Sequence, residues 1–226
     1  MSIALFALAA VLAGALLLVA RRLNEARRAD FIRGYGFPMG LIERLQKRRP
    51  GLAAKDGQLV ARALRQFFLA HLKSGRGFVS MPSQITDDLW HEFILYTRNY
   101  QDFCTRAFGR FMHHTPAVVL GADRQGNAGL RRTWWFCCKD ENINPATPTR
   151  LPLLFAIDSK LGIADGFVYV PDCGALRKNG NGSVYCGGDF GSSGVDGSTD
   201  GFGDAGGSGD AGGDGGGCGG GGCGGD

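Results

Sequence analysis

Ile3 to Ala20 is an uninterrupted run of 18 residues without a charge, rich in Leu, Ala and Val. As a helix rising about 1.5 Å per residue it covers roughly 27 Å, close to the hydrocarbon thickness of a bilayer. No other segment constrains the chain as strongly, because an exposed apolar helix of this length has to be covered by lipid or by protein. It is long for the apolar stretch of a secretory signal and has no basic residues in front of it. The positive charges lie behind it, at Arg21, Arg22, Arg27, Arg28 and Arg33. Basic residues beside a spanning helix stay in the cytoplasm. The expectation is therefore a single-pass anchor over residues 1–21, with the N-terminus outside and everything that follows in the cytosol. A cleaved signal peptide and a buried globular helix are the alternatives.

Residues 22–50 read as a basic juxtamembrane segment, with nine Lys/Arg against three Asp/Glu between Arg21 and Pro50. Such a cluster is attracted to anionic headgroups by about 1 kcal/mol per residue close to the surface. The net charge of +4 conceals a larger asymmetry. The 40 residues from Gly187 to Asp226 hold seven aspartates and no Lys or Arg, which leaves +11 on the body and −7 on the tail. A basic body suits nucleic acid or an anionic membrane. The anchor favours the membrane, and no nucleic-acid partner is expected.

The body, residues 51–186, reads as mainly α with little or no sheet. Ala53 to Lys73 places Val60, Ala63, Leu64, Phe67 and His71 at spacings of three and four. Ser83 reads as an N-cap. From Gln84 to about Phe108 one long helix is expected, because Ile85, Leu89, Phe93, Tyr96, Tyr100, Phe103 and Ala107 fall on a single stripe. Asp87, His91, Arg98 and Asp102 form a polar stripe on its other side. Leu130 to Lys139 and Leu151 to Leu161 are further helices, and Phe167 to Val170 is the one β-type run. From residue 187 onward, 21 glycines leave too little apolar side chain to offset chain entropy, so the tail reads as disordered.

The run Met81-Pro-Ser-Gln-Ile-Thr-Asp-Asp-Leu-Trp-His-Glu-Phe-Ile-Leu-Tyr-Thr-Arg-Asn-Tyr is distinctive, as are Phe103-Cys104, Phe108-Gly-Arg-Phe111 and His113-His-Thr-Pro116. It resembles the bacterial members of the glycine-rich domain-containing protein family, whose plant relatives carry a similar Asp-x-x-Trp-His core. Trp134-Trp-Phe-Cys-Cys138, Leu151-Pro-Leu-Leu-Phe155 and the Tyr185-Cys-Gly-Gly188 entry into the tail are similar too. The resemblance covers roughly residues 51–186 and implies an architecture, not an activity.

One constellation carries metal-ligand chemistry. Asp87 and His91 stand at i and i+4, on one helical face. His113 and His114 follow the turn at Gly109, which allows them to fold back toward that face. Asp87, His91 and His114 are the expected set for a divalent ion, zinc first, with iron or nickel also suited to imidazole. Cys104 is a weaker fourth ligand. A purely structural polar cluster, with His91 bonded to Asp87 or Asp102, and an acid–base site without metal remain open. No zincin motif is present, since His91-Glu92 is followed by Phe93, Ile94 and Leu95. Nucleophile motifs and phosphate loops are also missing from the sequence.

None of the seven cysteines falls in paired C-x-x-C spacing. Cys104, Cys137 and Cys138 read as small buried hydrophobes, mostly reduced in a cytosolic domain. Cys173 and Cys186 bracket Lys178-Asn-Gly-Asn-Gly and could close a loop or hold an ion. Cys218 and Cys223 could chelate a soft metal, pair as a disulfide, accept a modification, or have no fixed partner. Two functions follow: a non-enzymatic module that binds a protein partner at the membrane, or a metal-dependent enzyme, perhaps a hydrolase, built on Asp87, His91 and His114.

Overall fold

The computed structural model describes residues 2–114, 128–171, 185–187 and 190. Its elements are α1 (Ser2–Gly34), α2 (Leu41–Arg48), α3 (Ala54–Lys73), α4 (Gln84–Ile94), α5 (Thr97–Phe108), α6 (Ala128–Asp140), α7 (Leu153–Leu161), β1 (Tyr169–Val170) and β2 (Tyr185–Cys186). The protein is mainly α, as the hydrophobic periodicity requires. Among the described residues the only sheet is one parallel pair, Tyr169 opposite Tyr185 and Val170 opposite Cys186.

Helix α3 is the centre of the domain and packs on α1, α2, α4, α6 and α7. A helix surrounded this way must be apolar on most sides. Val60, Leu64, Phe67, Phe68 and Leu72 are all buried. Phe68 meets Phe103 at 4.8 Å, and Phe67 meets Trp90 at 5.0 Å. These aromatic contacts tie α3 to α4 and α5.

Among the described residues one helix, α1, is long and apolar enough to cross a membrane. Leu8, Val11, Leu12 and Leu16 are exposed along its first half. Its last turns belong to the domain, since Ala29 and Ile32 are buried and Phe31 packs on Phe103 at 5.8 Å. Leu41 and Leu45 of α2 are buried as well. The core thus reaches back into the segment expected to be juxtamembrane. Its charges are partly used within the domain: Arg44 pairs with Glu92 at 2.6 Å, Arg49 with Asp88 and Asp165 at 2.6 Å each, and Arg33 with Asp140 at 3.1 Å.

The single helix expected over residues 84–108 is two helices. The chain breaks at Leu95–Tyr96, where Tyr96 leaves helical geometry at ψ 62°. The apolar stripe hides the break because Phe93, Tyr100 and Phe103 remain buried on both sides of it. Tyr96 instead turns its hydroxyl to donate to the Met39 carbonyl, 3.2 Å away. Gly109 ends α5 in the left-handed region at φ 75°, where its amide reaches the Cys104 and Thr105 carbonyls.

The core also extends past residue 186. Phe190 is fully buried against Trp134, Phe155 and Tyr169. A Cβ on Gly187 would stand 2.4 Å from the Trp134 ring, so this close approach needs glycine. Cys104, Cys137 and Cys138 are free and buried, and burial pushes the Cys138 thiol up to about 12. Cys186 is disulfide-bonded. Cys173, Cys218, Cys223 and the expectation of a disordered tail lie outside the described residues.

Candidate metal centre

Helix α4 supplies two of the three candidate ligands, and its start is held from four directions. Ser83 caps the helix by accepting from the Thr86 amide at 3.2 Å. Its hydroxyl donates to the buried carboxylate of Asp158 at 2.7 Å. The same carboxylate accepts from the amides of Gln84 (2.7 Å), Ile85 (3.2 Å) and Phe167 (2.9 Å). A negative charge at this end also complements the helix dipole. The first turn of α4, which carries Asp87, is therefore pinned to α7.

Asp87 and Asp88 are neighbours with different fates, because successive helical residues point about 100° apart. Asp88 turns toward α2 and is ion-paired with Arg48 and Arg49. Asp87 turns the other way, toward His91 and His114. His91 Nδ1 lies 3.5 Å from Asp87 Oδ2, and His114 Nε2 donates to Asp87 Oδ1 at 2.9 Å. One ligand atom from each residue falls within 4.8 Å of the others.

His114 is delivered by a chain of contacts from α4 and α5. The Trp90 indole N–H donates to the Tyr100 hydroxyl at 3.2 Å, and that hydroxyl donates to the Met112 carbonyl at 2.5 Å. Burial raises the Tyr100 phenol far above its ordinary value, so it remains a donor. With Met112 fixed, the His114 ring rests edge-on against Trp90, centroids 4.6 Å apart, and 4.2 Å from the His91 ring.

The four-coordinate zinc shell has bonds of about 2.0–2.2 Å to nitrogen and oxygen, which puts neighbouring ligand atoms roughly 3.3 Å apart. His114 Nε2 lies 2.9 Å from Asp87 Oδ1 and His91 Nδ1 lies 3.5 Å from Oδ2, either side of that figure on different oxygens of one carboxylate, and the ligand atoms as a set fall within 4.8 Å. His91 Nδ1 is itself buried with no hydrogen-bond partner, so its lone pair or proton is unsatisfied. Buried polar atoms of this kind are uncommon and costly. The three side chains are of the kind and spacing that could hold a divalent ion. The His91 side chain is 39% exposed, so the cluster opens to solvent on that side.

The other residues weighed from the sequence lie elsewhere. His113 is exposed against Phe111. Cys104 is not part of the cluster; it is buried in the core, and its thiol is pushed up by that burial. Arg98 and Asp102 are exposed on α5, carried away from His91 by the helix break. The fourth histidine, His71, is buried and donates from Nδ1 to the Gly77 carbonyl at 3.0 Å. Asp158, Trp90 and Tyr100 support the site in ways that helical spacing does not predict. The signal for Trp90 was its place beside His91; nothing local announces Asp158.

The family model described as UCP032817-like matches residues 27–190. The chain belongs to the UCP032817-like family. The match takes in the last turns of α1, all of α2 to α7 and the buried Phe190, so every candidate ligand and support lies inside the UCP032817-like region. The family is uncharacterised. Comparison with curated proteins and with solved structures finds no match.

Proposed function

We propose that this chain is a single-pass membrane protein whose helical domain faces the cytosol and holds a divalent cation, zinc first, on Asp87, His91 and His114. The observation that carries the metal reading is His91 Nδ1, buried without a hydrogen bond and 3.5 Å from a carboxylate that His114 also reaches. Two imidazoles and a carboxylate leave one position of a tetrahedral shell open, the arrangement in which water or a substrate oxygen takes the fourth place. A bound ion would supply Lewis acidity there. This is the basis for a metal-dependent enzyme of the hydrolase class. The part of Asp87, His91 and His114 is to bind and orient.

The second reading is a metal-free interaction module that meets a protein partner at the membrane. It is favoured by the 2.9 Å bond between Asp87 and His114, which satisfies both groups without an ion. Kinship with the glycine-rich domain proteins, carried by the Asp87-to-His91 segment and its surroundings, suits either reading.

The anchor reading is supported by the exposed apolar side chains of α1. The orientation is supported by Arg21, Arg22 and Arg27, which directly follow the apolar run and have no ion pair among the described residues. The bilayer is thus the first partner.

Metal analysis of the full chain in uncharged detergent tests the site. One equivalent of metal is expected, lost in His91→Ala and in Asp87→Asn. Metal-free protein, with both variants merely less stable, would leave the interaction module.

A further inference from the structure

A cleft of about 500 Å³ lies on the domain away from the candidate metal centre and contains none of its residues. Its charged wall is made by Arg33 at the end of α1, Arg62 and Arg65 on α3, Asp140 and Glu141 at the end of α6, and Lys160 on α7. Four cations face two carboxylates, and those carboxylates are already engaged. Asp140 is shared by Lys73 at 3.0 Å and Arg33 at 3.1 Å. Glu141 pairs with Arg150 and accepts from Gln66 at 2.9 Å and from the Leu153 amide at 2.6 Å. Arg62, Arg65 and Lys160 have no carboxylate partner among the described residues.

Arg62 and Arg65 stand three residues apart on one face of α3, so like charges sit side by side. Burial and the Arg62 charge both press the Arg65 guanidinium toward losing its proton. Yet Arg65 is held in place: Nε and Nη2 donate to the Tyr35 carbonyl at 3.0 and 2.7 Å, and the group stacks over Phe37 at 4.9 Å. A fixed guanidinium costs little further entropy when it binds. Leu59, Leu69 and Leu153 add apolar surface to the same cleft.

We infer that this cleft binds a phosphate-bearing anion, its oxygens held by Arg62, Arg65 and Lys160. Three uncompensated cations exceed what one carboxylate needs and match a dianion with several acceptor oxygens. The volume suits a small organic phosphate, within the roughly 300–1,000 Å³ usual for such sites. The phosphate could belong to a soluble ester or to a lipid headgroup. Arg33 lies 13 residues beyond Ala20 on the same helix, or about 20 Å at 1.5 Å per residue. The headgroup layer is roughly 6 Å deep. That distance favours the soluble ester.

The test uses the full chain in phosphatidylcholine nanodiscs, with a chelator present so that no cation at Asp87, His91 and His114 collects the anion. Inorganic pyrophosphate is titrated calorimetrically. Saturable one-to-one binding is expected, weakened about tenfold or more in Arg62→Gln and in Lys160→Gln. Both residues are exposed, so thermal midpoints should be unchanged. If added phosphatidate in the disc competes with pyrophosphate, the phosphate comes from lipid; if it does not, the source is soluble. Absence of saturable binding, or wild-type affinity in both variants, overturns the inference.

Discussion

Asp87 Oδ1 and His114 Nε2 lie 2.9 Å apart although 27 residues separate them in sequence. The contact joins the first turn of α4 to the segment beyond α5, and it depends on both ends being anchored: Asp158 at the start of α4, Tyr100 beneath Met112. Support of this kind is what gives a candidate site defined geometry.

Asp87 and Asp88 should separate binding from stability. Asp87→Asn is expected to abolish stoichiometric metal while changing the unfolding free energy by less than about 1 kcal/mol. Asp88→Asn leaves Arg49 and Arg48 facing a neutral amide in a buried corner. It should cost about 2 kcal/mol, reduced from the full buried-pair value because both arginines keep some exposure. Metal content and urea midpoints, measured on both variants, check the pair.

Tyr100→Phe removes one hydroxyl that both accepts from Trp90 and donates to Met112. Two buried partners are left unsatisfied, at a cost of about 2 kcal/mol. Because Met112 positions His114, zinc affinity should also fall by about tenfold. A competition titration with a chromophoric chelator reads this directly; unchanged affinity would mean that His114 is positioned by other contacts.

Asp158→Ala strips four donors of their acceptor at the start of α4: the Ser83 hydroxyl and the Gln84, Ile85 and Phe167 amides. A loss of about 3 kcal/mol is expected. Hydrogen exchange should speed up in the first turn of α4 more than in α3.

His71 makes the fold acid-sensitive. Its imidazole is pushed down to about 4 from an ordinary 6.5, chiefly by burial, with Arg110 and Arg76 adding in the same direction. The unfolded chain takes up this proton near pH 6.5, while the native protein resists until about pH 4. Stability from this group is therefore full above pH 6.5 and is lost as pH falls toward 4, by about 3 kcal/mol at most. Urea melts at pH 7.5 and 4.5 should show a larger acid loss in wild type than in His71→Gln.

Topology has its own test. A reporter fused behind Asp226 should be shielded from protease added to intact cells. The disulfide at Cys186 is the feature this orientation least favours, since cytosolic thiols are kept reduced. Alkylation before and after reduction reads this bond: a Cys186 thiol that is protected until reduction, together with an accessible reporter, would reverse the orientation.

Local spacing made much of this legible. The extent of α3 and the C-terminal end of α7 follow from apolar recurrence and terminal glycine, and the i, i+4 relation of Asp87 and His91 is a property of any helix. The break at Leu95–Tyr96 was not legible, because the apolar period runs through it unchanged. The roles of Arg44, Arg48 and Arg49 were not legible either. A run of basic residues reads the same whether it meets headgroups or the carboxylates of Asp88, Glu92 and Asp165.

By itself the sequence determined the helical class of the domain, the apolar reach of α1, and which face of α4 bears Asp87 and His91. These depend on neighbours within a few residues, where helical geometry is invariant. Only the tertiary structure decided that His114 comes within 2.9 Å of Asp87, that α2 is docked by ion pairs, and that Phe190 closes the core. Those outcomes rest on contacts between residues far apart in the chain, whose energies have no signature in local spacing.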